Sequence, residues 1–194
     1  MLHIVYGGSA SGKSTYAESL AMSLQGDGRL LYIATMYPYK WNTTELDPET
    51  MQRIKRHRAM RADKGFDTVE CYRHVEHIVA KRQDVLLLEC MSNLLANEMY
   101  LEPDSNVGSD VAETMSPVSK KIVQAIVDLS TRVQELVIVT NDVFSDGGSL
   151  TYDESTREYV KNLAEINCAL AREAATVTEI VCGIPVKIKG DKQP

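Results

Sequence analysis

Residues 7–14 are the strongest candidate for chemistry, because Gly-Gly-Ser-Ala-Ser-Gly-Lys-Ser fits the phosphate-binding pattern GxxxxGK[ST]. Glycines in this pattern let successive backbone N–H groups turn inward around phosphate oxygens. Lys13 then places a cation on the terminal phosphates, and the Ser14 hydroxyl is suited to Mg²⁺. A ligand-free turn is the plainer interpretation, but the full motif lies between a predicted strand and a predicted helix. We therefore predict a site for a nucleoside triphosphate with Mg²⁺, contacted by Gly7, Gly8, Ser9, Ala10, Ser11, Gly12, Lys13 and Ser14.

A histidine surrounded by basic residues is the second candidate. Asp47 and Pro48 are typical of a helix start. On that helix Arg53, His57 and Arg61 are spaced i, i+4, i+8, which places them along one face. The plainer interpretation is a solvated basic face. The chemical alternative is that neutral imidazole attacks phosphorus without first losing a proton, while the arginines neutralise the phosphates.

A carboxylate ends the apolar stretch at 84–89. Glu89 stands where many P-loop proteins place an acid that holds Mg²⁺ through water, but it could equally read a ribose or base, or serve structure alone. The late apolar stretch ends in Thr140-Asn141-Asp142, without the lysine of the Asn-Lys-x-Asp motif with which GTPase switches read guanine. This absence disfavours a GTPase switch.

Alternating short apolar stretches and longer helical patterns must position these residues. The predicted strands are 2–6, 30–34, 84–89, 135–140 and 178–183, and the predicted helices lie near 13–25, 48–62, 72–82, 91–101, 115–134 and 154–174. Continuously apolar strands separated by helices are typical of a parallel sheet covered on both faces. We predict one P-loop NTPase-like α/β domain over residues 1–194, with a mostly parallel central sheet flanked by helices. The tail at 183–189 could add an antiparallel edge strand.

Composition excludes several classes of protein. The chain has 194 residues, 44% of them hydrophobic and 25% charged, as expected of a globular domain. A net charge of −6 argues against a general nucleic-acid coat, and no apolar run approaches the ~20 residues of a membrane span. Four scattered cysteines without a CxxC motif favour reduced thiols in a cytoplasmic protein. The acidic segment 98–113 is read as a solvated loop rather than a metal site.

Several blocks together resemble the bifunctional adenosylcobinamide kinase / adenosylcobinamide-phosphate guanylyltransferase family of cobalamin biosynthesis. They are GGSASGKSTYAE, YIAT (32–35), RIKRHRAMR (53–61), TVEC (68–71), LLLEC (86–90), VTND (139–142) and GIPVKIK, in family order over nearly the whole chain. The P-loop is common to many families, whereas the Arg-Ile-x-x-His-Arg-x-x-Arg block with TVEC and LLEC is much more specific.

The resemblance implies two activities. The kinase phosphorylates the aminopropanol hydroxyl of adenosylcobinamide with ATP or GTP. The guanylyltransferase makes adenosylcobinamide-GDP from GTP and releases pyrophosphate, through a guanylylated histidine that maps onto His57. The implied nucleotide contacts beyond the P-loop are Ile33, Ala34, Thr35, Arg58, Ala59, Met60, Arg61, Glu70 and Glu89. The resemblance also implies a corrinoid partner and a homo-oligomer, with trimers among the family's assemblies.

The C-terminal third departs from the family pattern. Asn141-Asp142 replaces Asn-Glu, Asn167-Cys168 replaces Asn-Gln, and the helix at 157–161 lacks the family's Arg-Asp pair. Two alternatives stay open from the residues themselves. One is a P-loop small-molecule kinase in which His57 is idle, and the other is a nucleotide-dependent switch that binds a partner through the basic helix.

Overall fold

A computed structural model describes residues 1–40, 43–101, 115–143 and 152–190. Strands and helices alternate through these ranges. The strands are β1 (Leu2–Gly7), β2 (Leu30–Ala34), β3 (Phe66–Glu70), β4 (Val85–Glu89), β5 (Glu135–Asn141), β6 (Thr176–Val181) and β7 (Ile184–Lys189). The helices are α1 (Lys13–Leu24), α2 (Pro48–Arg61), α3 (Met91–Tyr100), α4 (Pro117–Arg132) and α5 (Glu154–Glu173), with a short 3₁₀ turn at Val75–His77.

The strands form one sheet in the order β3-β2-β4-β5-β1-β6-β7. All neighbouring pairs are parallel except β6 and β7, which are antiparallel. The predicted parallel sheet and the predicted antiparallel edge strand are therefore confirmed. The parallel order brings the carboxyl ends of β1, β2, β4 and β5 to one edge, next to the loop that precedes α1.

Two apolar cores cover the two faces of the sheet, because alternate residues of each buried strand point to opposite sides. Leu31, Leu86, Leu136 and their neighbours on that face pack against α3, α4 and α5. On the other face, residues such as Val5, Leu87 and Val137 pack against α1. Of the helices in the described ranges, none has the length and apolar character that a membrane crossing requires.

Two elements differ from the sequence predictions. The strands predicted from apolar runs do not include β3, because this edge strand is mostly polar and partly exposed. The predicted helix at 72–82 is wrong. Only the 3₁₀ turn Val75–His77 forms there, since Val75 and Ile78 anchor the segment in the core without a longer amphipathic pattern.

The predicted solvated acidic loop is also wrong at its first residue. Glu98 lies in α3, is 7% exposed and contacts Arg73 and Lys121. Its Oε1 also accepts a hydrogen bond of 2.7 Å from the backbone N–H of His74. Glu98 is thus a buried carboxylate compensated by cations. Residues 102–113 of that prediction lie outside the described residues.

Candidate active site

A cavity of about 310 Å³ lies at the carboxyl edge of the sheet, where ligands bind in open parallel sheets. It is bounded by the P-loop, the ends of β2, β3, β4 and β5, and one face of α2. The lining residues are Ser9, Ala10, Lys13, Ser14, Tyr32, Ala34, Met36, Arg53, Ile54, His57, Arg58, Arg61, Thr68, Glu70, Tyr72, Glu89, Cys90, Asn93, Val139, Asn141, Asp142 and Val143. The two candidate chemistries of the sequence, the P-loop and the histidine helix, therefore share one cavity.

The P-loop takes its shape from two glycines and a neighbouring hairpin. Gly12 is the N-cap of α1 with φ 97°, a conformation that strains other residues. A Cβ on Gly7 would lie 2.7 Å from the carbonyl oxygen of Ile180. The backbone N–H of Gly183 donates to the carbonyl of Ser11 at 2.9 Å, so the β6–β7 turn braces the loop from outside.

Lys13 is held ready inside this loop. Its ammonium donates to the Gly8 carbonyl at 2.6 Å, and the residue is 7% exposed. Burial lowers the pKa of Lys13, while nearby Cys90, Glu89 and Asp142 act in the opposite direction. A desolvated ammonium gains strongly from an incoming phosphate, because the dielectric around it is low.

Ser14 and Glu89 offer a fit for Mg²⁺. The Ser14 hydroxyl donates to Glu89 Oε1, and Glu89 Oε2 is buried without a hydrogen-bond partner among the described residues. Hydroxyl and carboxylate oxygens are the protein ligands that Mg²⁺ prefers. Within the described ranges, no group of three or more His, Cys, Asp or Glu side chains forms a metal site. An ion held here would therefore take its other ligands from phosphates and water.

Helix α2 begins as predicted and presents His57 to the cavity. The Asp47 carboxylate accepts from the Thr50 N–H at 3.0 Å and from its hydroxyl at 2.5 Å, which lowers the pKa of Asp47. The capped helix turns Ile54, His57 and Arg61 toward the cavity. His57 is half-buried, and no hydrogen bond joins its ring to any residue that the structure describes. Its nitrogens can therefore reach a ligand.

Arg61 is a buried cation with unused donors. It is 6% exposed, and its guanidinium lies 3.4 Å from the centroid of the Tyr32 ring. Its Nε and Nη1 are buried without hydrogen-bond partners among the described residues. Stacking on Tyr32 compensates part of the desolvation of this charge, but not its missing hydrogen bonds. An anionic ligand in the cavity would both pair with the charge of Arg61 and accept hydrogen bonds from its unused N–H groups.

A second carboxylate stands where α2 meets β3. Glu70 ends β3, forms an ion pair with Arg58, and accepts a hydrogen bond of 2.9 Å from the Tyr72 hydroxyl. Both members of the ion pair are about half exposed, so the pair stabilises the position of α2 only weakly. Glu70 is therefore available to exchange Arg58 for a ligand donor.

Not every predicted contact lines the cavity. Ser9, Ala10, Lys13 and Ser14 of the P-loop do, as do Ala34, Arg58, Arg61, Glu70 and Glu89, whereas Gly7, Gly8, Ser11 and Gly12 shape the loop behind them.

Four further predicted residues lie off the lining. Ile33 is buried in the α3 side of the core, and Ala59 and Met60 are exposed on α2. The Thr35 hydroxyl donates to the Cys90 carbonyl at 3.0 Å and accepts from its N–H at 2.7 Å. Nucleotide contacts by these four residues stay predictions.

The cavity also contains residues to which the sequence reasoning gave no role. Asn141 donates to the Ser92 hydroxyl at 2.6 Å, and Ser92 in turn contacts the Cys90 thiol at 2.9 Å. Outside the lining, burial and a hydrogen bond to Asp142 raise the pKa of Tyr6 to about 12, so this phenol stays protonated well into the alkaline range. Asn141 ends the apolar strand β5 and Asp142 follows it, a position that could have identified them. Tyr32 lies inside its strand and carried no such signal.

Comparison with known proteins gives one family. The model described as CobU, cobinamide kinase / cobinamide phosphate guanyltransferase, matches residues 3–188. The bifunctional adenosylcobalamin biosynthesis protein CobU of Salmonella typhimurium is 31% identical over 97% of this chain and 100% of its own length. The protein of the same name from Escherichia coli is 29% identical with the same coverage. Among solved structures, the flagellar accessory protein FlaH from Methanocaldococcus jannaschii aligns with 99% of this chain and 81% of its own at 15% identity, with a TM-score of 0.47.

Proposed function

We propose that this chain, which belongs to the cobinamide kinase / cobinamide phosphate guanyltransferase family, performs both reactions in the cavity between the P-loop and α2. The chain is an adenosylcobinamide kinase and adenosylcobinamide-phosphate guanylyltransferase of cobalamin biosynthesis. What the proposal adds is the assignment of residues to steps. The observation that carries it is the common cavity, which both Lys13 and His57 line.

In the kinase reaction, the P-loop holds ATP or GTP by its terminal phosphates. The substrate hydroxyl attacks the γ-phosphorus and loses its proton to solvent, and the bond from the γ-phosphorus to the β-bridging oxygen breaks. Lys13 stabilises the charge that develops on the departing diphosphate. Ser14 and Glu89 would hold Mg²⁺, which supplies charge neutralisation on the phosphates when it is bound. His57 has no task in this reaction.

In the guanylyltransferase reaction, His57 is the nucleophile. A ring nitrogen attacks the α-phosphorus of GTP, the bond to the β-phosphate breaks, and pyrophosphate leaves toward Lys13. A phosphate oxygen of adenosylcobinamide-phosphate then attacks the guanylyl group, the phosphorus–nitrogen bond breaks, and adenosylcobinamide-GDP forms. The unused N–H groups of Arg61 suit the charge on the α-phosphate, because each gains a hydrogen bond that it otherwise lacks.

The test is covalent labelling with GTP alone. Wild-type protein incubated with α-labelled GTP should carry label through a denaturing gel, and the bond should be labile to acid and stable to base. The His57→Ala variant should carry none, while Arg56→Ala, an exposed change on the same helix, should label normally. Labelling of His57→Ala would place the nucleophile elsewhere. Absence of label in the wild type would favour a simple kinase or a nucleotide switch.

The proposal extends to organisation. The whole of residues 1–194 acts as one catalytic domain, and the working form is a homo-oligomer, with a trimer as the expected size. Light scattering on the purified protein tests this directly. A monomer that keeps both activities would contradict the oligomer without affecting the residue assignments.

A further inference from the structure

A wide groove adjoins the nucleotide cavity on the side of β3. Its volume is about 1400 Å³, and it runs from Tyr37, beyond β2, along the end of β3 to the 3₁₀ turn. Glu70 and Tyr72 line both the groove and the cavity, so the two spaces meet at this pair. A molecule in the groove would lie beside the triphosphate without occupying its site.

One wall of the groove is aromatic and apolar. The rings of Tyr37 and Tyr72 meet edge to face with centroids 5.4 Å apart, which fixes Tyr37 against the end of β3. Ile78 and Val79 continue the wall, and Val79 is 86% exposed. A wide, flat apolar ring is the kind of ligand that gains from such a wall, because it removes ring and side-chain surface from water together.

The groove is also lined by polar side chains that can donate hydrogen bonds. The Nε and Nη2 of Arg73 are buried without hydrogen-bond partners among the described residues, although Nε lies 3.6 Å from Glu98 Oε2. His74 and His77 stack with centroids 5.7 Å apart, and both line the groove. These N–H groups suit carbonyl oxygens such as those of amides, because Glu98 already offsets part of the positive charge that Arg73 and Lys121 bring.

We propose that this groove is the acceptor site and holds the corrinoid ring, an inference that rests on the proposed function. The ring lies against Tyr37, Tyr72 and Val79, and Arg73 donates to one of its peripheral amide carbonyls. The side chain that ends in the reacting hydroxyl or phosphate passes Glu70 and Tyr72 into the cavity. A corrinoid combines a wide flat macrocycle with amides around its rim, which matches the two chemistries of the groove. The cavity of about 310 Å³ is too small to hold such a ring beside a nucleotide.

Equilibrium binding of cobinamide to the full chain, without nucleotide, tests the proposal. Val79→Asp puts a charge into the apolar wall and should raise the Kd for cobinamide at least about tenfold. Met22→Asp, on α1 and likewise exposed, is the matched control and should leave the Kd unchanged. Tyr37→Ala should weaken binding, whereas Tyr37→Phe, which keeps the ring, should bind as the wild type does. In turnover, both weakened variants should show a raised KM for adenosylcobinamide with a smaller change in kcat.

Labelling by α-labelled GTP separates this inference from the proposed function, because that reaction needs no corrinoid. If the variants still become labelled by GTP but bind cobinamide more weakly, the result supports the groove as the acceptor site. Unchanged cobinamide binding in both Val79→Asp and Tyr37→Ala would overturn it, even if guanylylation proceeds. A changed oligomer mass for Val79→Asp would also overturn it, since the groove would then be a contact between copies of this chain. If the wild type fails to label but binds cobinamide through the groove, the proposed function is at fault.

Discussion

The P-loop and helix α2 form two walls of one cavity but are held in different ways. The P-loop is held mainly by its backbone: β1 leads into it, and the Gly183 N–H donates to its Ser11 carbonyl. The Lys13 ammonium adds one side-chain bond, to the Gly8 carbonyl. Most of α2 is exposed, and side chains tie it to the rest, through Arg58 to Glu70 and through Arg61 on Tyr32. We infer that the first wall is the more rigid and suits the phosphates that both proposed reactions need. The second wall is held by fewer contacts, and in the proposed mechanism it carries the group that only guanylyl transfer needs.

The largest expected effect comes from removing the lysine of the P-loop. Lys13→Ala should lower both kinase and guanylyltransferase kcat/KM by about 10³-fold, because both reactions lose the charge that stabilises the leaving phosphates. Lys81→Ala, an exposed change away from the cavity, is the control. Loss of one activity with retention of the other would show that the two reactions do not share the P-loop.

Replacing the buried cation of α2 should slow guanylyl transfer more than the kinase reaction. Arg61→Gln should slow formation of the guanylyl adduct by about 10²-fold, since the α-phosphate loses charge-assisted donors, with a smaller effect on the kinase. Single-turnover labelling with GTP measures the first, and γ-phosphoryl transfer to adenosylcobinamide measures the second. Arg61→Lys keeps the charge but loses the planar stack on Tyr32. Its rate of adduct formation should lie between those of the wild type and Arg61→Gln. Equal losses in both reactions would contradict the division between the walls.

Glu89 belongs to the P-loop side of the cavity and Glu70 to the α2 side, so variants of these two carboxylates test the two sides separately. Carboxylates suit guanine, which offers paired N1–H and N2–H donors that adenine lacks. At least one of Glu70→Gln and Glu89→Gln should narrow the preference for GTP over ATP in adduct formation by about tenfold. The measurement is kcat/KM for both nucleotides in each single variant. If both variants keep the parent's preference, the base is read elsewhere, and backbone groups near residues 33–35 are the next candidates.

The smallest effect concerns the docking of α2. The folded pKa of Asp47 lies below its ordinary value of ~3.9, so the contribution of its cap is present above that pH and is lost as pH falls through the folded pKa. Asp47→Ala should therefore speed amide hydrogen exchange in the first turn of α2 at neutral pH. Exchange in α1 should not change, and Asp47→Asn, which can still cap, should behave as the wild type. Faster exchange in both helices would indicate that the walls are coupled.

Local patterns determined much of this protein from sequence. The motif at 7–14 requires backbone turns that glycine allows, short apolar runs separated by helical patterns favour buried parallel strands, and Asp47-Pro48 is typical of a helix start. The spacing of Arg53, His57 and Arg61 likewise fixed their common face. The P-loop turn, the cap of α2 and the common face of α2 depend on residues near one another in the chain, and the strand character of each run is local too, although the pairing of the strands is not.

Only the tertiary structure decided what each wall faces. Assembly of the sheet brings α2 to the cavity that the P-loop also lines, stacks Arg61 on Tyr32, and brings the β6–β7 turn against Ser11. It also decided that Glu98 is buried between cations, that β3 is a strand despite its polar residues, and that Glu70 and Tyr72 stand between cavity and groove. These outcomes depend on residues distant in sequence, whose burial and charge compensation exist only once the sheet has assembled.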